Sequence, residues 1–200
     1  MSNTTPGPGK NTRAFGLALL GVAAALAAFT TWRAETVGAS GGGALVGGPF
    51  ALQAADGKTV TDKDFLGAPT LVYFGYTHCP DICPTDLAEM TAIFAKLPDK
   101  PIKGLFITVD PERDTPGTMA DYVSSFDKRI VGLSGTPEQI AEAERTFRVY
   151  ARKGEVKPDG SYSMDHMAVV YLMDSKGAFV EMFNLDRPAD EAAKELAGYF

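Results

Sequence analysis

An α/β fold, a mixed central sheet flanked by helices, is predicted by two features of this sequence. Short apolar runs of strand type alternate with helical patterns from residue 50 onward, and turn signals of hairpin type sit near both ends of that alternation. A third feature adds an N-terminal transmembrane helix: residues 14–32 contain no charged side chain. The length of 200 residues suits one globular domain plus such a segment.

Residues 1–13 form a polar tail carrying Lys10 and Arg13. The uncharged stretch from Ala14 to Trp32 would reach about 28 Å as a helix, close to the hydrocarbon thickness of a bilayer. A cleaved secretory signal is the alternative, with small-residue sites in Ala23–Ala28. Lys10 and Arg13 favour a cytoplasmic N-terminus, and Trp32 is placed to anchor at the interface. A mitochondrial transit peptide would be longer and richer in arginine. The expectation is therefore a single-pass protein of a bacterial cytoplasmic (inner) membrane, its domain facing the periplasm. Residues 33–48, dominated by small side chains, read as a flexible tether, and residues 49–200 as the folded domain.

Within the domain, residues 50–61 suggest a hairpin around Asp56-Gly57. Thr70–Phe74 is a continuous apolar run of buried-strand type. Apolar spacing at Leu87, Met90, Ile93, Phe94 and Leu97 predicts a helix over Pro84–Leu97, ended by Pro98 and Pro101. A strand over Gly104–Val109, a helix over Pro116–Phe126, a strand over Ile130–Leu133 and a helix over Pro137–Phe147 follow. Ala168–Met173 is expected as a strand, turning at Asp174–Gly177 into Ala178–Phe183. A helix over Ala189–Tyr199 ends the chain.

Net charge is −6, so no basic surface suggests a grip on nucleic acid. The chain has two cysteines, Cys79 and Cys83, and two histidines, His78 and His166. Soft-metal or redox chemistry must draw on that small set. The cysteines lie three residues apart between a strand and a helix, where the thioredoxin fold places its active thiols. A helix N-terminus favours the thiolate, the form that binds metal and attacks disulfides. Pro84 puts Cys83 at or just before the helix start, leaving Cys79 in the loop. Two thiolates plus the imidazole of His166 make a set suited to Cu(I) and, with further donors, to Cu(II), whereas structural zinc normally takes a fourth protein ligand. A plain disulfide between the cysteines is the competing reading. Beside Cys79, His78 is expected to point away from a shared ion. Asp165 is a candidate to orient His166, or a solvated turn residue. Met167 offers a weak axial thioether, or packs in a strand.

The chain resembles the Sco/SenC family. The segments that carry the likeness are YFGYTHCPDICPTDL (Tyr73–Leu87), TVDPERDTP (Thr108–Pro116), TFRVYARK (Thr146–Lys153) and MDHMAVVYLMDSKG (Met164–Gly177). The resemblance implies a thioredoxin-like fold and copper as the bound metal, with Cys79, Cys83 and His166 as the family's ligands. It implies delivery of copper to the binuclear centre of cytochrome c oxidase subunit II. Another periplasmic copper chaperone or a thioredoxin-like reductant would be a further partner. Met167 stands where the family often has a small hydroxyl residue. Asp110, Glu112, Arg113 and Asp114 match the family's DPERD loop, which would contact a partner or support the histidine segment; a solvated, salt-bridged turn is the alternative. A thiol-disulfide reductase, with Cys79 or Cys83 as the attacking thiol, the other as the resolving one, and His166 dispensable, is the rival function. The Pro-x-x-x-Thr-x-x-Cys loop of peroxiredoxins is absent.

Overall fold

The structure, a computed structural model, describes residues 46–200. The expected tail and anchor, residues 1–32, and most of the tether lie outside the described residues. Among the described residues no helix is long and apolar enough to cross a membrane. The end of the expected tether already lies on the body: the Gly47 amide donates to the Thr146 carbonyl at 3.0 Å.

Among the described residues nine strands and four α-helices follow in order. A hairpin of β1 (Ala51–Gln53) and β2 (Thr59–Thr61) turns at Gly57, whose φ of 73° suits glycine. A 3-10 turn at Asp62–Phe65 leads to β3 (Thr70–Gly75). Helix α1 (Ile82–Ala95), β4 (Lys103–Thr108), α2 (Pro116–Val123), β5 (Ile130–Leu133) and α3 (Pro137–Phe147) come next. Then β6 (Ala151–Lys153), β7 (Met164–His166), β8 (Val170–Met173), β9 (Phe179–Met182) and α4 (Ala189–Leu196) complete the chain.

The central sheet has the order β5-β4-β3-β8-β9. Strands β3, β4 and β5 run parallel, and β8 and β9 are antiparallel to their neighbours. Alternate residues of a strand face opposite ways, and the register sorts the layers. Tyr73, Phe106 and Gly132 stand abreast on one face, where Phe106 stacks on Tyr122 of α2. Gly104 on that face abuts Met90 and Phe94 of α1, and α4 packs against α1. Phe74 and Tyr171 point the other way, onto Phe147 of α3. This is the three-layered thioredoxin-like arrangement expected from the sequence.

Local chemistry starts two of the helices. Thr115 caps α2 by accepting from the Thr118 amide, and Thr136 with Gln139 forms a reciprocal capping box on α3, each with proline in the first turn. Several expected bounds shift: α1 ends at Ala95 and not at Leu97, β4 lies one residue earlier, α2 ends at Val123 and not at Phe126, and Ala197–Tyr199 form a 3-10 turn after α4. Helix α1 begins at Ile82 and not at Pro84, so Cys83 is its second residue. The expected strand from Ala168 begins at Val170, because residues 167–169 connect it to β7. The β6–β7 pair and the 3-10 turn carry no periodic pattern in the sequence.

Candidate metal centre

The parallel strands β3 and β4 both end at the same edge of the sheet. The loops that follow them, Tyr76–Asp81 and Val109–Thr115, are therefore neighbours, at the edge where open α/β sheets commonly bind ligands. Strand β8 runs against β3 with Val170 opposite Tyr73, so the segment preceding β8 arrives at that edge too. Antiparallel pairing of β7 with β6, His166 opposite Ala151, holds it there.

Three donor atoms meet: Sγ of Cys79, Sγ of Cys83 and a ring nitrogen of His166 all lie within 4.8 Å of one another. The Cys83 to His166 Nε2 edge is 3.9 Å. A trigonal ion with bonds of about 2.0–2.3 Å needs donors about 3.5–4.0 Å apart, so one edge already fits and small side-chain movements bring in the rest. The His166 Nδ1 lies 3.1 Å from the Met167 carbonyl, which can only accept. That bond places the neutral ring's proton on Nδ1 and leaves the Nε2 lone pair facing the sulfurs. Tyr76 presses edge-on against the ring at 5.6 Å.

The two thiols differ. Both are free, Cys79 half-buried in the loop and Cys83 fully buried. The Cys83 amide, in the first turn of α1, donates to Cys79 Sγ at 3.3 Å. The helix start was expected to favour the thiolate, but for Cys83 burial outweighs it. Desolvation first, and the adjoining Cys79 sulfur second, push the Cys83 thiol up to about 12. Room for this sulfur comes from Gly75: a Cβ there would stand 2.8 Å from Cys83 Sγ and 2.6 Å from the Phe106 ring.

The DPERD loop is a built support and not a solvated turn. Asp114 is fully buried. It accepts from the Thr77 amide (3.0 Å), the Thr77 hydroxyl (2.6 Å) and the Thr108 hydroxyl (2.8 Å), tying the cysteine loop to β4. Asp110, also buried, pairs with Arg113 and accepts from the Tyr162 hydroxyl at 2.9 Å. Arg113 in turn donates to the Tyr162 carbonyl and lies 3.6 Å from the centre of the Tyr162 ring, so the loop grips the segment leading to His166. Glu112 pairs with Lys153 of β6.

The remaining candidates fall outside the donor set. His78 is half exposed, its Nδ1 3.1 Å from Thr77 Oγ1 and 3.8 Å from Asp114. Asp165 is exposed on β7, and the Met167 carbonyl orients the imidazole in the place foreseen for it. Met167 sits between strands, its amide bonded to the Tyr150 carbonyl, instead of packing within one. Gly75, Tyr76 and Tyr162 are supporting residues that the sequence did not single out. Their signal lies only in strand register and in the neighbouring motifs.

Residues 38–200 match the SCO1/SenC family. An Arabidopsis thaliana protein, "Protein SCO1 homolog 1, mitochondrial", is 41% identical over 169 residues, covering 81% of this chain and 50% of its own. The chain spans about half the length of such curated relatives. The structure of Bradyrhizobium japonicum ScoI with copper bound is 52% identical, with a TM-score of 0.73, over 78% of this chain and 99% of that one. The crystal structure of Arabidopsis thaliana ScoI with copper bound is 39% identical, with a TM-score of 0.72, over 77% and 97%.

Proposed function

Because the chain belongs to the SCO1/SenC family, we propose that it is a copper metallochaperone that carries one ion on Cys79, Cys83 and His166. The reading rests on one observation above all: three soft or borderline donors from distant parts of the chain converge within 4.8 Å. Copper is the metal named with two of its relatives' structures. The ion is cargo, so its site should hold it firmly and still release it. Cys79 and His166 are partly exposed while Cys83 is buried. An incoming ligand would meet the first two and displace Cys83 last.

The recipient we propose is the binuclear copper centre of cytochrome c oxidase subunit II, reached by ligand exchange. The chain would act as a single-pass protein of the bacterial cytoplasmic membrane with this domain in the periplasm. Protease accessibility in spheroplasts tests that placement. A metal-free subunit II domain that takes no copper from the loaded chain would exclude it as recipient.

Titration of the reduced chain with copper tests the site itself, following stoichiometry and the sulfur-to-copper absorption of the Cu(II) form. Wild type should take up one equivalent, and His166→Ala should lose at least about tenfold in affinity, or 1.4 kcal/mol. Unchanged binding by His166→Ala would dismiss the three-donor site. A second reading has one observation in its favour: the thiols are free and adjacent, Cys79 accessible and Cys83 behind it. In that role Cys79 attacks the disulfide of an oxidised copper site, Cys83 resolves the mixed disulfide, and His166→Ala keeps the activity.

A further inference from the structure

Two buried phenol hydroxyls, of Tyr73 and Tyr122, have no hydrogen-bond partner. Buried polar groups are almost always paired, so each asks for an explanation. Tyr73 is wholly buried on β3 and shares its sheet face with Gly75, two residues on. That face is where Cys83 lies: the Cβ position of Gly75 is 2.8 Å from Cys83 Sγ and 2.6 Å from Phe106. The same Phe106 ring packs 5.7 Å from the ring of Tyr73. Tyr73, Phe106 and Cys83 thus occupy one layer under the start of α1. A phenol keeps its proton at neutral pH, so the hydroxyl remains a donor.

In this structure no acceptor meets the Tyr73 hydroxyl at hydrogen-bonding geometry, and Cys83 and the Asp86 carboxyl group are the polar side chains beside it. A thiol sulfur accepts weakly, but a metal-bound thiolate carries negative charge and accepts well. Resting on the copper reading above, we propose that in the loaded chain the Tyr73 hydroxyl donates a hydrogen bond to the Cys83 thiolate and so tunes the copper–sulfur bond. The bond draws electron density from sulfur, weakens its donation to Cu(II) and favours Cu(I). Hydrogen bonding around a ligating cysteine is a known lever on copper potential. Tyr73 is in this sense a tuning residue that touches the ligand and not the ion.

The test uses the full chain loaded with copper, as wild type, Tyr73→Phe and Tyr122→Phe. Tyr73→Phe should move the sulfur-to-Cu(II) absorption to longer wavelength. It should also lower the ratio of Cu(I) to Cu(II) affinity about fivefold, which is about 40 mV in potential. Tyr122→Phe removes an equally unpaired buried hydroxyl and should leave both unchanged. An unmoved band in Tyr73→Phe, or an equal shift in Tyr122→Phe, overturns the assignment. Wild type alone supplies a second readout: transfer to D2O should shift the Cu–S stretching frequency in the resonance Raman spectrum, and no shift overturns it as well. Failure of wild type to bind copper removes the copper reading and the Tyr73 role together. Binding without these effects removes only the role.

Discussion

At the scale of single residues, the site depends on one side chain that is missing and one that is buried against its nature. Alanine at Gly75 would drive a methyl into Cys83 Sγ and the Phe106 ring, both fully buried. Gly75→Ala should cost about 1–3 kcal/mol by urea unfolding and weaken copper binding in the same titration used for His166→Ala. Asp114 is wholly enclosed, tolerable because three donors from Thr77 and Thr108 meet its side-chain oxygens. Asp114→Ala leaves those donors unpaired and should cost about 2–4 kcal/mol, while freeing the loop that holds Cys79. That Cys79, Cys83 and His166 would meet could be read from the sequence because cysteine and histidine are scarce in it. The roles of Gly75 and Asp114 could not, since each follows from what lies across a strand or loop. The group that orients His166 left no trace at all: it is a backbone carbonyl, which any residue at position 167 would supply.

At the scale of elements, the long apolar patterns were legible and the short polar pairings were not. Strands β3, β4, β5 and β8 are hydrophobic runs buried in the sheet, and their identity follows from composition. Strands β6 and β7 have three residues each, ARK and MDH, with ten residues between them. Nothing in those letters announces a hairpin, yet it carries His166 to the cysteines. The C-terminus of α1 shows a similar dependence on distant sequence. Arg129 donates to the Phe94 and Leu97 carbonyls at 2.7 Å each and is held there by Asp127. Charge-assisted bonds to a helix end are among the stronger ones. Arg129→Ala should therefore destabilise the domain by about 2–3 kcal/mol, measured as a lower urea midpoint at unchanged slope.

At the scale of the molecule, pH enters through Glu144 on α3. Burial raises its pKa from 4.5 to about 7, with Arg145 only partly opposing. Below about pH 4.5 the folded and unfolded states are both protonated and the group contributes no pH dependence. Between 4.5 and 7 the unfolded chain ionises first, so stability falls as pH rises, and above 7 the penalty is constant. Glu144 is partly exposed, so solvent screening holds the penalty to about 1 kcal/mol. Glu144→Gln should match wild type at pH 4 and exceed it by about that amount at pH 8, read from urea midpoints across the range. The convergence of donors has a mechanical side as well. Cys83 and His166 are 83 positions apart, and an ion held between them fastens the start of α1 to the far half of the chain. On the copper reading proposed above, cargo doubles as a clasp: at a hundredfold excess over the dissociation constant it would add about 2.7 kcal/mol to stability. A laden carrier should melt later and resist proteases longer than an empty one, so its survival would report whether it still holds its freight.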